Sequence, residues 1–328
     1  MPRHVLAILF ITLLTLLARP AHAEIELSAF IKLSGSVLKV EVMRVQGGYS
    51  LGSGVVVSAQ KVVTNCHVTR DAREIYVISR GVRLPVSSQS GDGDHDLCVL
   101  HIPRLEADPV ELGTARDLTL GQSVNALGYT GGTGIQNSPG TVLALHRHDR
   151  ASVIQSSNFF SSGASGGGLF DDRLRLVGIL TFRLRGGSAH YFAAPMDWLV
   201  PLLEQRDREQ PVAPRAASDI AFWQRPIQDQ PLFLRAALFE RDAKWAELQS
   251  LALDWARTDA TDPEPWYFMG LALTRLDRPA DAINALTCSL NLDPAYEPAL
   301  TQLAQTPGAR GDATLDPAAP AACAAAPR

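Results

Sequence analysis

Cysteine is scarce in this chain, with four among 328 residues. No cysteines or histidines stand at the paired spacing of a metal site, so neither a metal nor another cofactor is expected. Blocks of like charge are missing as well. Thirty basic and 34 acidic residues give a net charge of −4, evenly spread. That excludes nucleic acid or an anionic membrane surface as the main partner. No run is apolar enough to span a bilayer. Residues 5–17 are apolar apart from two threonines, which falls short of the ~20 residues a spanning helix needs. This run follows Arg3 and His4 and leads to Ala21-His22-Ala23 before Glu24, the three-part pattern of a cleaved secretory signal. Residues 1–23 therefore read as a signal peptide, and the mature chain as periplasmic or secreted, bacterial, with no membrane association after cleavage. Without residues 1–23, which hold two arginines and no acids, the charge becomes −6.

What is present falls into two textures. Short β-branched runs recur at residues 37–42, 54–57, 61–63, 74–78, 97–102, 122–127, 141–145 and 174–182, with glycine-rich turns between them. Short strands at such spacing imply an all-β barrel or sandwich. Residues 197–205 shift to helical composition, with Trp198, Leu199, Leu202 and Leu203 on one face. Residues 206–228 are rich in charge, proline and glutamine and read as a linker. Beyond them, residues 233–240, 245–255, 265–276 and 280–290 are alanine- and leucine-rich amphipathic runs. Trp266, Gly270, Ala282 and Pro294 stand at the spacing of a tetratricopeptide-like repeat, in which the small Gly270 and Ala282 let two helices approach closely. The tail from residue 304, rich in alanine and proline, reads as disordered.

Three short segments carry chemistry. Gly163-Ala164-Ser165-Gly166-Gly167-Gly168 puts a serine on a glycine-flanked turn. Such a turn presents a hydroxyl as a nucleophile and backbone N–H groups to an oxyanion. Thr64-Asn65-Cys66-His67-Val68 offers an imidazole, which titrates near neutral pH and takes the hydroxyl proton. Asp96, heading the apolar run to Leu100, would fix the tautomer and stabilise the imidazolium. His67, Asp96 and Ser165 stand in one of the chain orders of a serine-protease triad. If His67 and Asp96 meet, Cys66 and Cys98 are also brought close, either as a disulfide or as two small buried thiols. Cys288 and Cys323 read as unpaired.

Over residues 35–200 the sequence resembles the trypsin-like serine proteases, in particular the bacterial HtrA/Deg-like branch. The resemblance rests on Gly52-Ser53-Gly54-Val55-Val56 leading to His67, on Asp96-Leu97-Cys98-Val99-Leu100, on the Ser165 loop through Leu169, and on Leu176-Val177-Gly178-Ile179. It implies a chymotrypsin-like all-β double barrel with the site between barrels, followed here by a small all-α repeat domain rather than PDZ domains. The expected organisation is a signal peptide (1–23), a protease domain (24–205), a linker (206–228), a helical repeat domain (229–303) and a tail (304–328). The resemblance carries over His67, Asp96 and Ser165 as catalytic residues and the N–H groups of Gly163 and Ser165 as oxyanion donors. It places the substrate pocket at Phe159, Thr181 and His190. With no acid at its base the pocket suits an apolar side chain, while His190 would receive an acidic one, as a histidine does in glutamyl endopeptidases. Two departures, Ala164 and Gly168, imply a looser serine loop. The implied function is an exported serine endopeptidase acting on protein or peptide substrates, with a protein partner at the repeat. The alternative is a catalytically weak binding or assembly module that works through its repeat domain.

Overall fold

The computed structural model describes residues 26–184, 190–204, 209–216, 218–308 and 323. The signal peptide, and the tail at 309–322 and 324–328, lie outside the described residues. The chain opens with helix α1 (Leu27–Ser34) and continues into β1 (Val37–Arg44), β2 (Tyr49–Ser58), β3 (Lys61–Asn65), the short helix α2 (Cys66–Thr69), β4 (Ala72–Ser79), β5 (Val82–Pro85), β6 (Ser88–Asp92) and β7 (Leu97–His101). A second set of strands follows: β8 (Ser123–Gly128), β9 (Gln136–His148), β10 (Ala151–Ser156), β11 (Gly168–Phe170), β12 (Leu176–Leu184) and β13 (His190–Pro195). Helix α3 (Met196–Glu204) closes this half, and β14 (Gln210–Pro211) returns to the first.

The second lobe is a closed barrel in the order β10-β13-β12-β11-β8-β9. The first is an eight-stranded sheet, β14-β6-β7-β3-β2-β1-β4-β5, rather than a closed barrel. The reason is local. A strand has two edges, and β6 uses one for β7 and the other for β14, through Gln210↔Gln89 and Pro211↔Ser88. No edge of β6 is left for β5. Alternating aliphatic residues make each core: Val40, Val56 and Val62 are fully buried in the first lobe, and Leu127, Ile154 and Leu169 in the second.

Register decides where the chemistry goes. β3 and β7 are antiparallel, with Thr64 opposite Cys98 and Asn65 opposite Leu97. The end of β3 and the start of β7 therefore lie at the same edge of the sheet, which brings residues 66–67 beside residue 96. Cys66 and Cys98 are joined as a disulfide. Cys288 and Cys323, read above as unpaired, are joined too. Sequence spacing carries no information about a partner that folding returns from 35 residues away.

The helical unit comprises α4 (Leu232–Arg241), α5 (Trp245–Thr258), α6 (Glu264–Arg275), α7 (Pro279–Leu292) and α8 (Glu297–Gln305). A Cβ added at Gly270 would stand 2.5 Å from Leu286 Cγ, so a larger residue there would push α6 from α7. The unit does not stand apart from the lobes. Phe233 of α4 is buried and stacks on His146 of β9 with ring centroids 4.5 Å apart. Burying a side chain of that size contributes about 1.5–3 kcal/mol. His146 Nδ1 meets Glu264 Oε1 of α6 at 2.5 Å, and its Nε2 meets Gln155 Oε1 at 2.8 Å. Burial opposes charge on His146, but the Glu264 carboxylate and these hydrogen bonds outweigh it and hold the imidazole above its ordinary value.

Asp262 lies at the same junction and accepts the Glu264 N–H at 3.0 Å. Burial, then the neighbouring Glu264 charge, raises it from 3.8 to about 6. A carboxyl raised on folding costs nothing below its unfolded value, loses stability as pH climbs from there to its folded value, and loses no more above it. Asp262→Asn keeps the acceptor and removes the charge. We expect its melting temperature to match wild type below about pH 3, where Asp262 is neutral in the folded and the unfolded chain alike. Above pH 7 the variant should be the more stable by up to about 3 kcal/mol, the full linkage value for a shift of this size. Parallel melting curves across that range would refute this account of the junction.

Candidate active site

Asn65 ends β3, and α2 carries the chain on through His67. Asp96 precedes β7 in a left-handed conformation, φ 59°, which aspartate tolerates better than most residues. Its carbonyl accepts the Cys66 N–H at 3.2 Å and the Asn65 amide at 3.0 Å, which pins this backbone. Its carboxylate accepts the His67 N–H on Oδ1 at 2.8 Å and His67 Nδ1 on Oδ2 at 2.6 Å. The Asp96 side chain is 1% exposed and that of His67 22%. With Nδ1–H donated to the carboxylate, Nε2 is the proton acceptor of the neutral ring.

Ser165 comes from the second lobe, in the loop before β11. Its carbonyl accepts the Ser53 N–H of β2 at 2.8 Å. A Cβ built on Gly52 would lie 2.6 Å from Val68 and 3.2 Å from that same Ser165 carbonyl. The His67 turn and the Ser165 loop therefore converge over Gly52, and only glycine lets them. Gly163 has φ 97°, and a Cβ there would lie 2.4 Å from the Tyr129 carbonyl. The Gly131 N–H donates to the Ser162 carbonyl at 2.8 Å. In a trans peptide that turns the Gly163 N–H the opposite way. Neither the Gly163 nor the Ser165 N–H has an acceptor among the described residues.

The departures at Ala164 and Gly168 do not leave this loop slack. Ala164 is buried, and at Gly168 a Cβ would lie 2.4 Å from the Phe170 ring. The chief fastening is Ser53, which sequence reading passed over although it stands in the Gly-Ser-Gly motif. It is fully buried. Its hydroxyl donates to the Gly163 carbonyl at 2.8 Å and accepts the Tyr129 N–H at 2.8 Å, while its carbonyl accepts Thr64 Oγ1 at 2.7 Å.

The three pocket residues proposed from sequence are dispersed. Phe159 is exposed and, with Phe160, Ala164, Leu180 and Ala126, lines a cavity of about 200 Å³ with no charged residue in its wall. Thr181 does not line it. Its buried hydroxyl donates to the Ile179 carbonyl at 2.7 Å and accepts from Asn65 and from the Ala194 N–H. His190 does not line it either. It is buried, with Nδ1 accepting from the Gln155 amide at 3.0 Å, on the side of the barrel that meets the helical unit. Burial, with His146 and Arg241 nearby, lowers its basicity.

A further aromatic enters the site from the stretch read as a linker. Trp223 Nε1 donates to Asp96 Oδ2 at 3.2 Å, and its ring meets His67 edge-on at 5.5 Å. The signal was present in the sequence: adjacent Phe222 and Trp223 are out of character in a proline- and charge-rich tether. Among the described residues no helix is long and apolar enough to cross a membrane, and no cluster of three or more ligating side chains could hold a metal.

Two β-lobes, with a His–Asp pair on one and a glycine-flanked serine loop on the other, are the arrangement of the trypsin-like serine proteases. Comparison with known proteins agrees. Residues 52–179 match the trypsin-like peptidase domain family. A probable periplasmic serine endoprotease, DegP-like, from Halomonas elongata is 31% identical over 165 residues, covering 48% of this chain and 35% of that protein. Serine endoprotease DegS from Haemophilus influenzae is 30% identical over 161 residues, 47% of each. The chain thus spans less than half the length of these relatives. Among solved structures, the active form of the Rv3671c protease from M. tuberculosis shares the fold at a TM-score of 0.53, with 22% identity, over 57% of this chain and 88% of that one. The HtrA-type protease AlgW with tripeptide gives a TM-score of 0.51 at 28% identity, over 57% and 63%. The β-lobes of this chain are similar to the protease domain of HtrA-type serine endoproteases.

Ser53→Ala strips the Gly163 carbonyl and the Tyr129 N–H of their buried partner. We expect a loss of about 1–3 kcal/mol in denaturant unfolding, the cost of leaving such groups unpaired. An unchanged midpoint would show that Ser53 does not hold the lobes together.

Proposed function

We propose that this protein is an exported serine endopeptidase that cleaves proteins or peptides through an acyl-enzyme on Ser165. One observation carries the reading: the turn that holds the hydrogen-bonded His67–Asp96 pair and the serine loop of the second lobe meet over Gly52, and the Gly163 and Ser165 N–H groups have no acceptor among the described residues. In this reading His67 takes the Ser165 proton as the hydroxyl attacks the scissile carbonyl, and Asp96 holds the ring and stabilises the imidazolium. The N–H groups of Gly163 and Ser165 receive the oxyanion. His67 then gives the proton to the leaving amine, and water repeats the cycle on the ester. The uncharged cavity beside Phe159 and Ala164 favours an apolar side chain before the scissile bond, since a cation there would be buried without a partner. Export to the periplasm is supported by the signal pattern of residues 1–23 and by the periplasmic DegP-like relative. The helical unit is assigned to binding a protein partner or positioning substrate.

An active-site fluorophosphonate probe tests this directly. Wild type should label, and Ser165→Ala should not. Substitution of Ser165 or His67 should lower kcat on a cleaved peptide by about 10⁶-fold. A folded wild type that neither labels nor cleaves a peptide library would instead point to a binding module that retains the protease fold.

A further inference from the structure

Asp96 is buried, and its carboxylate has room for more donors than His67 supplies; an ionised carboxylate has about four acceptor sites. The neighbouring side chains are spent elsewhere. The Asn65 amide goes to the Asp96 carbonyl, not the carboxylate. The Thr181 hydroxyl gives its proton to the Ile179 carbonyl. The further donor on the carboxylate is the Trp223 indole, a group that can only donate.

The segment around Trp223 is fastened at both ends. The Phe222 N–H donates to the Asp94 carbonyl at 3.0 Å, two residues before Asp96. Arg225 is ion-paired to Asp94, and Arg70 donates to Gln224 at 2.8 Å. The Gln230 amide donates to the carbonyls of Trp223 at 3.1 Å and Arg225 at 2.7 Å. The indole stacks on Phe182 of β12 at 4.9 Å, nearly parallel. Phe222 is buried between Trp198, His148 and Phe233. Pro231 then caps α4, so the segment runs without a break into the helical unit.

We propose that Trp223 is a positioning residue of the protease site, delivered by the segment that joins the lobes to the helical unit, and that its indole N–H completes the hydrogen-bonding of the Asp96 carboxylate. The helical unit then supports catalysis from outside the protease lobes, because its seating holds Trp223 in place. This rests on the protease reading above. The indole shares Oδ2 with His67 Nδ1. Without it the carboxylate is less fixed, and it holds the protonated imidazole more strongly. The neighbouring charged groups, Asp94 with Arg225 and Asp219 with Arg215, remain paired.

Trp223→Phe keeps an aromatic ring for Phe182 and removes the donor together with the second ring of the indole. In the full chain we expect kcat to fall about tenfold with KM unchanged. The acid limb of kcat/KM should move up by roughly half a unit to one unit. In a Ser165→Ala background, the downfield proton resonance of the His67–Asp96 hydrogen bond should shift on the same substitution, a readout that needs no turnover. Gln230→Ala, which frees the Trp223 backbone and leaves the ring alone, should give smaller changes of the same sign, and it serves if the phenylalanine variant does not fold. A Trp223→Phe protein with wild-type kcat, acid limb and proton resonance overturns the proposal while leaving the protease reading intact. A wild type that fails to label, while Trp223→Phe still shifts the resonance, overturns the protease reading and leaves the indole's hold on Asp96 standing.

Discussion

A buried carboxylate is tolerated only where donors surround it, because burial removes the water that would otherwise solvate its charge. Asp96 is such a group, and much of the site is arranged to meet its needs. The left-handed backbone at Asp96 turns the side chain inward. Its carbonyl is pinned by Cys66 and Asn65. The His67 backbone and ring and the Trp223 indole converge on its oxygens. The His67 ring, held at one nitrogen, has a defined orientation at the other. The tautomer of the imidazole and the path of the interdomain segment are thus set by one charge.

A site split between two lobes needs a second constraint, which is a fixed distance across the cleft. Ser53 supplies it. Its N–H donates to the Ser165 carbonyl, its hydroxyl bonds to Gly163 and Tyr129, and its carbonyl accepts from Thr64, so three polar groups tie the serine loop, Tyr129 and β3 together. Side-chain networks of this kind are worth most where water is excluded, and they are costly when partly broken. The serine loop is therefore held both by a residue of the opposite lobe and by its own backbone, where the Gly166 N–H donates to the Leu180 carbonyl and the Gly167 N–H to the Ala164 carbonyl. That explains how Ala164 and Gly168 can depart from the family pattern without loosening the turn.

The helical unit is bound to the lobes by chemistry more exacting than a flexible tether. Phe222 and Phe233 pack among the histidines and aromatics of the second barrel. His146 pairs with Glu264 out of solvent. A buried ion pair specifies an arrangement at least as much as it stabilises one, since a displaced partner leaves an uncompensated charge. The orientation of the helices is accordingly coupled to the barrel wall and, through Phe222 and Trp223, to the pair at the cleft.

The sequence by itself determined the strand-rich and helix-rich halves, because alternation and helical periodicity are local properties. It also put His67, Asp96 and Ser165 in order, because each sits in a short segment whose residue types carry its chemistry. Gly163 was legible for the same reason: a turn of that shape excludes a side chain. Tertiary structure alone decided the rest. The open first sheet follows from β14 taking the edge of β6, and nothing within Gln210–Pro211 announces a strand. Thr181 and His190 stand near the serine by resemblance, yet hydrogen bonds from Asn65 and Gln155 commit them elsewhere. Cys288 meets Cys323, and Trp223 meets Asp96, only once distant segments are packed together. Local pattern reports what a residue can do, whereas burial and partners, which fix what it does, belong to the assembled chain.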